Sequence, residues 1–451
     1  MTSTAMHKKT PARAAVASWV GTTLEYYDFA VYGTASALVL NKLFFPPELP
    51  QGVGVLLSMA TLAVGYVVRP LGALILGPLA DKFGRKFVMM LTLFGIGGCT
   101  FLIGCLPTFH TVGVIAPILL VVIRILQGLC VSGEQGSAIT MSLEHSNDRH
   151  RSFTTSFTTS GASAGTLLAT AVFIPFAALP EEVLLGWAWR VPFWLSFVVV
   201  IAAYLIRRKL EEPPSFIENS EVQVNITPLK QAVQFHWPAI IRVAACALIA
   251  GASYVFASFS VAFATNGYKL DKPTMLLVPV IASALALGVT PLAGLAADKI
   301  GRKPTFLIGV LGAGIMTVPY LWSITTGNWT LIFLLGIICN GFFYSTANGV
   351  WPAFYAEMFP SRVRVSGLAV GTQIGFAIAG AVGPVASTAL AGPDLLGWFG
   401  PAMLTIALMA ISATAALTAK ETRKYTLDEI DEVKQSDREK AAVAAATVVP
   451  A

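Results

Sequence analysis

The sequence predicts an all-α integral membrane protein, with twelve transmembrane helices in two pseudo-symmetric six-helix bundles. Three observations predict it: the composition, the spacing of apolar windows and an internal repeat. Of 451 residues, 55% are hydrophobic and only 12% charged, and mean hydropathy is +0.71. Water cannot solvate such a surface at this chain length, so most of the solvent is lipid. Apolar windows of about 20 residues, enough to span a bilayer, recur twelve times. GPLADKFGRK at 77–86 returns as GLAADKIGRK at 294–303, and Glu144 with Arg149 and Arg151 returns as Glu357 with Arg362 and Arg364. Two matches in one order at nearly one offset indicate duplicated halves.

Taken in order, span one (15–40) is apolar except for Glu25 and Asp28. It outlasts any signal-peptide apolar region and lacks a small-residue cleavage site, so it is expected to remain in the membrane. Spans two (53–79) and three (87–106) flank the DKFGRK loop, four (112–142) holds Arg124 and Glu134, and five (153–178) opens with the small-residue run SGASAG. Six (189–207) ends the first half at a polar, proline-containing segment, EEPPSFIENSEVQVNITPLK. Seven (238–265), eight (274–297), nine (304–323) and ten (329–356) follow. Eleven (365–391) carries Gly371, Gly375, Gly380, Gly383 and Pro384, and twelve (396–419) closes the set. The small residues of spans five and eleven suit a packing seam near the pseudo-axis. The domains are therefore a tail (1–14), a bundle (15–207), a linker (208–237), a second bundle (238–419) and a tail (420–451).

Lys and Arg set the orientation. Both tails, the linker and the loops holding Lys82, Arg85, Arg149, Arg151, Lys299, Arg302, Arg362 and Arg364 lie on one side. Lys42, Arg190, Lys269 and Lys272 lie opposite, and Arg69 and Arg124 fall inside spans. Both termini are expected in the cytoplasm and the formal charge of +6 is topological, calling for no nucleic acid. Five cysteines sit in apolar spans without ligand spacing, so neither a disulfide framework, a metal nor a resident cofactor is expected. Five histidines fall in loops or tails, which leaves no intramembrane histidine relay. Without a nucleophile, histidine or metal-ligand grouping in the spans, an enzyme is not expected.

In the repeated loops, Asp81 and Asp298 are followed by Gly84 and Gly301, which permit a tight turn, and then by Arg85 and Arg302. These charges with Glu144 and Glu357 form a candidate ionic latch that locks one conformation; charges serving topology alone fit the same pattern.

The DKFGRK loop after spans two and eight resembles the signature loop of the major facilitator superfamily. GTTLEYYDFAVYGT, RPLGALILGPLADKFGRK, RILQGLCVSGEQGSA at 124–138, WAWRVPFWLSF at 187–197, LEEPPSF at 210–216 and AEMFPSRVRVSG at 356–367 resemble the metabolite:proton symporter family within it. The resemblance implies the major facilitator fold, with alternating access around a midplane site lined by spans one, four, seven and ten. It also implies a small-metabolite cargo, from organic acids to proline and betaines.

Charges within hydrocarbon cost several kcal/mol, so an unpaired one should be rare without function. Glu25, Asp28 and Tyr32 share one helical face. Two close carboxylates in a low dielectric favour protonation of one, so Asp28, Glu25 and Glu134 are the candidate proton carriers; helix-positioning ion pairs with Arg69 or Arg124 are the alternative. A guanidinium forks onto a carboxylate, so Arg124, with Gln127 one turn on, is the candidate for an anionic substrate group. An arginine that only neutralises Glu25 or Asp28 fits equally. Arg69, just before Pro70, points to structure or coupling. Tyr254 with Ser258, the stripe Asn340, Tyr344, Asn348 and Trp351, and Gln373 are the candidate hydrogen-bonding and stacking groups of the second half.

The function expected is proton-coupled symport of a small polar metabolite, an organic acid first, by a monomer in the cytoplasmic (inner) membrane. The alternatives are an osmoprotectant symporter for betaine or proline and a proton-coupled efflux antiporter. The tail after Lys420 is too short for the coiled coil of an osmosensing form, and Arg69 and Arg124 oppose cationic drugs. A fluorescent reporter fused at either terminus is expected on the cytoplasmic face; quenching of either fusion by an impermeant quencher added outside intact cells would reverse the topology.

Overall fold

The computed structural model describes residues 11–72, 75–76, 79, 85–131, 134–207 and 228–434, and these form helices without a strand. The first half consists of α1 (Pro11–Leu38), α2 (Gln51–Val67), α3 (Arg85–Cys105), α4 (Ile115–Cys130, taken up again over Glu134–Glu144), α5 (Arg151–Ala177) and α6 (Ser196–Arg207). The second consists of α7 (Leu229–Gly267), α8 (Lys272–Ile300), α9 (Arg302–Thr326), α10 (Trp329–Ala356), α11 (Ser361–Ala391) and α12 (Phe399–Thr418). A short α13 (Leu427–Lys434) follows. Among the described residues nine helices are long and apolar enough to cross a membrane. The acid-bearing α1 and the shorter apolar stretches Met90–Cys105 and Ala188–Ile201 bring the spans to twelve.

Helix ends follow local chemistry. Asp271 caps α8 by accepting from the Thr274 N–H at 2.9 Å, and Asn328 caps α10 through the Leu331 N–H at 3.3 Å. These side chains satisfy N–H groups that a helix start leaves unpaired. Gly301, at φ +125°, makes the turn from α8 to α9, as the repeated loop requires. The repeat's first copy, Asp81 and Gly84, lies outside the described residues.

Two boundaries differ from the sequence reading. Helix resumes at Pro228, inside the segment read as linker, and kinks at His236 (φ −119°, ψ 18°) ahead of Pro238. Proline withholds an N–H and crowds the preceding turn, which bends the helix there. His236 is thus a buried helical residue and not a loop one. In the second tail, Thr426 and Glu429 cap one another's N–H groups (2.7 and 3.3 Å), a reciprocal box that starts α13.

The halves meet where α5 runs along α8 and α11 along α2, while α5 also packs on α1 and α11 on α7. The small residues serve two kinds of contact. Gly161 lies against α1, a Cβ there standing 3.1 Å from the Trp19 carbonyl carbon, and Gly375 against α7, 3.1 Å from that of Ala244. These are contacts within a half. Gly380, by contrast, receives the Tyr66 ring from the other half, so only part of the expected seam lies on the pseudo-axis. In lipid such close approach supplies packing that the hydrophobic effect cannot. Gly161→Val should force α5 off α1 and cost about 2 kcal/mol, read as a lower unfolding temperature in detergent; an unchanged transition would contradict this packing.

Candidate functional site

α1 presents different chemistry on two faces. Glu25 and Asp28 face α3 and α6, lining a cavity of about 10 Å³ with Leu93, Ile96, Val199 and Val200. Tyr26, between them in sequence, faces a second cavity of about 60 Å³ between the halves. The acids are therefore apart from the larger cavity.

Asp28 is buried, and its Oδ1 has no hydrogen-bond partner among the described residues. Arg124 is fully buried in the first half. Its Nη1 donates to Gln127 Oε1 (2.5 Å), its Nη2 to the Leu62 carbonyl (3.1 Å) and its Nε to the Thr61 carbonyl (3.4 Å). Its guanidinium lies 3.9 Å from the Tyr32 ring centroid, and the Tyr32 hydroxyl is 2.5 Å from Thr61 Oγ1. Gln127 donates in turn to Thr100 Oγ1 at 2.8 Å. Arg69 stacks on Phe29 (4.1 Å) and Tyr66 (4.4 Å), and Tyr66 stacks on Tyr254 of the other half at 4.7 Å. Delocalised charge against aromatic faces and carbonyl oxygens is how an arginine is tolerated away from water. Arg124, Gln127, Tyr32 and Arg69 thus form one polar interior of the first half, outside the lining of the larger cavity. The side chains of Glu134 and Arg85, and the whole of Asp81, lie outside the described residues.

The larger cavity is lined by Tyr26, by Thr159, Ser163 and Thr166 of α5, by Ser253 and Phe256 of α7, by Ser283 of α8, and by Asn340, Tyr344, Ser345 and Asn348 of α10. No charged side chain lines it among the described residues. Two of its walls are π-helical: Val255–Phe259 in α7 and Ile337–Tyr344 in α10. Such widened turns disturb backbone pairing and mark functional positions; here Ser345 Oγ donates to the Asn340 carbonyl at 2.8 Å. Three members of the expected stripe thus line the cavity, while Trp351 stands behind it and donates to Asn348 Oδ1 at 2.9 Å. Gln373 is buried on α11 outside the lining, its Oε1 without a partner among the described residues. Ser258 sits beside Gly33. The α5 hydroxyls were foreshadowed only by TTSFTTSGAS at 154–163, a run that packing explains equally well.

Above and below this cavity the halves are joined. On the basic face, Asp298 accepts from the Ser152 and Phe153 N–H groups (3.1 and 2.9 Å) and pairs with Arg302 (3.2 Å). Glu357, fully buried, pairs with Arg302 of its own half (3.3 Å) and Arg151 of the other (2.9 Å). Glu144 pairs with Arg364 at 3.5 Å. Asp298, Arg302 and Glu357 thus meet in one cluster; its cross-half partner is Arg151, which the sequence marks only as a topological charge. The second tail joins in: Thr422 hydrogen-bonds Glu357, Tyr425 accepts from Arg151 (2.7 Å), and Asp431 pairs with Arg364 (2.9 Å). On the opposite face, Gln51 donates to Asn266 (3.2 Å) and accepts from Lys269 (2.7 Å), and Asn266 reaches the Ala37 carbonyl (2.9 Å). Nearby, hydrogen bonding from Lys42 holds the Glu181 carboxyl below its usual range.

The family description Major Facilitator Superfamily matches residues 18–384 and 243–448. The chain is 32% identical over 419 residues to the shikimate transporter of Escherichia coli K12, covering 91% of this chain and 95% of that one. To the glycine betaine/proline/ectoine/pipecolic acid transporter OusA of Dickeya dadantii it is 30% identical over 431 residues, covering 92% and 84%. In three dimensions it is similar to the partially occluded inward open xylose transporter XylE of E. coli (TM-score 0.68, 18% identity, 91% and 98% covered).

Glu357→Gln would leave two buried guanidiniums facing a neutral amide. Breaking a buried pair in this way costs about 3 kcal/mol or more, so the variant should unfold at lower temperature and expose α5 to proteolysis at the basic face. Wild-type stability would contradict the pairing.

Proposed function

Since the chain belongs to the Major Facilitator Superfamily, a family of membrane transporters and not of enzymes, we propose that it is a proton-coupled symporter of a small polar metabolite, working by alternating access. The observation that carries this reading is the division of α1, with carboxyls on one face and a polar cavity wall on the other. A proton and a metabolite then have separate places, and one helix senses both. Contacts across the halves on both faces support an occluded form, in which cavity contents reach neither side. Alternating access then consists of releasing the Gln51–Asn266–Lys269 contacts or the Arg151–Glu357 and Asp298 contacts in turn. Asp28 is the proposed proton carrier, with Glu25 beside it. The chain works as a monomer in the cytoplasmic membrane with both termini in the cytoplasm.

The cargo we propose is a hydroxylated organic acid. The name of the E. coli relative supports it, and so do the hydroxyls and amides of the cavity, since buried sites that hydrogen-bond a substrate hydroxyl reject analogues lacking it. Arg124 is fully buried outside the cavity lining, and Gln127 and two carbonyls take three of its five N–H donors. Its proposed part is accordingly coupling, and Asn340 and Asn348 take the recognition role. The osmoprotectant reading is favoured by one feature, the Tyr26, Phe256 and Tyr344 rings in the lining, which suit a quaternary ammonium.

Protein in liposomes with a trapped pH dye should admit protons when a hydroxylated ring acid is added. Asp28→Asn should abolish proton entry yet retain exchange of labelled solute, and Asn340→Ala should raise KM about tenfold, the equivalent of one lost hydrogen bond. Betaine driving proton entry in place of the acid selects the second reading. Labelled solute that equilibrates without proton entry, alike in wild type and Asp28→Asn, replaces symport with facilitated diffusion.

A further inference from the structure

α5 and α8 run antiparallel along the seam between the halves, and two contacts fix their register. A Cβ on Gly294 would stand 2.8 Å from the Ser152 carbonyl oxygen, and Ser160 Oγ donates to the Leu287 carbonyl at 3.3 Å. Three residues onward along α5 and four back along α8 from that second contact, Ser163 comes level with Ser283. Both line the larger cavity. They belong to different halves and meet the same space.

Their hydroxyls differ from those of the neighbouring threonines. Thr159 Oγ1 donates to the Ser156 carbonyl and Thr166 Oγ1 to the Ala162 carbonyl, each at 3.0 Å, so these two lining residues have committed their protons within α5 and only accept. Among the described residues no hydrogen bond engages the Ser163 or Ser283 hydroxyl. Ser283 is only 5% exposed, and a buried hydroxyl without a partner is costly. Water meets that need in an empty cavity, so a cargo that displaces it must offer the same hydrogen bonds or lose affinity.

We propose that Ser163 and Ser283 are the specificity-determining pair of the cavity and read one hydroxyl group of the cargo. A hydroxyl both donates and accepts, so it accepts from one serine and donates to the other or to a threonine oxygen. A methylene in its place leaves both serines unpaired, and the site rejects it. Because the serines sit on different halves, the same hydroxyl ties α5 to α8 at the level of the cavity, as Asp298 ties them at the basic face through the Ser152 and Phe153 N–H groups. Recognition of the cargo and closure of the seam are then one event. The inference rests on the hydroxylated cargo proposed above and leaves Asn340 and Asn348 of α10 to hold the rest of the molecule.

Uptake into liposomes of a ring-hydroxylated cyclohexane carboxylate and of its monodeoxy analogues, by wild type, Ser163→Ala and Ser283→Ala, tests the pair. In wild type one analogue should show a KM about tenfold above that of the parent acid, the equivalent of one lost hydrogen bond. Either alanine variant should raise the KM of the parent about tenfold and leave that of this analogue within about twofold, which also shows that the variant folds. Ser283→Cys, which keeps the volume and weakens the donor, serves in the same comparison if the alanine variant does not fold. A KM that rises equally for the parent and every analogue overturns the reading of a hydroxyl, because the serines then hold the carboxylate. No discrimination among the acids in wild type, or an unchanged KM in both variants, overturns the pair's place in the site. All of these outcomes leave symport of the acid standing. Uptake of betaine by wild type with none of these acids overturns the cargo reading itself, and the pair with it.

Discussion

The first half is organised around one guanidinium that has no water to meet. Arg124 is fully buried, and a charge in hydrocarbon persists only where dipoles or counter-charges replace its hydration. Two α2 carbonyls, Gln127 and the Tyr32 ring do so here. The consequences reach outward. Gly65 must lack a side chain, because a Cβ would stand 2.7 Å from Arg124 Cζ. Gln127 is oriented by Arg124, and Thr100 by Gln127. Phe29 is shared with a second guanidinium, that of Arg69.

The two halves divide the chemistry. The first keeps its charges inside its own bundle, and the second offers uncharged groups to a cavity between the bundles. A common polar wall contributed by α5, α7, α8 and α10 needs no counter-charge, so it can empty and refill without leaving an unpaired ion. The π-helical turns of α7 and α10 leave backbone groups to be satisfied by side chains such as Ser345, which makes these walls easier to deform than a regular helix. Buried ion pairs between the halves lie at the basic face, where Glu357 is clasped by Arg302 and Arg151. There, near water, an ionic contact can be exchanged for hydration when the halves part.

Some of this is legible in the sequence and some is not. Span positions follow from apolar run length, which lipid imposes residue by residue, and the duplicated DKFGRK and DKIGRK segments reveal the halves. The acids of LEYYDF stand out because nothing else charged shares their span. The partners of those acids do not stand out. Arg124 and Asp28 suggest a direct pair by charge alone, whereas Arg124 is held by Gln127 and two carbonyls of α2. Arg151 reads as a topological charge because its partner, Glu357, lies in the other half.

By itself the sequence determined the solvent, the helical class, the twofold repeat and the presence of buried ionisable groups, because these depend on local run length, composition and spacing. Only the tertiary structure decided which face of α1 meets a cavity, that Arg124 is held by partners within its own half, and that the cavity between the halves is walled by hydroxyls and amides. Those outcomes depend on how helices rotate about their axes when they pack. Rotation is set by contacts between segments far apart in the chain, such as Gly161 on Trp19 and Gly380 on Tyr66, to which a local reading of residues has no access.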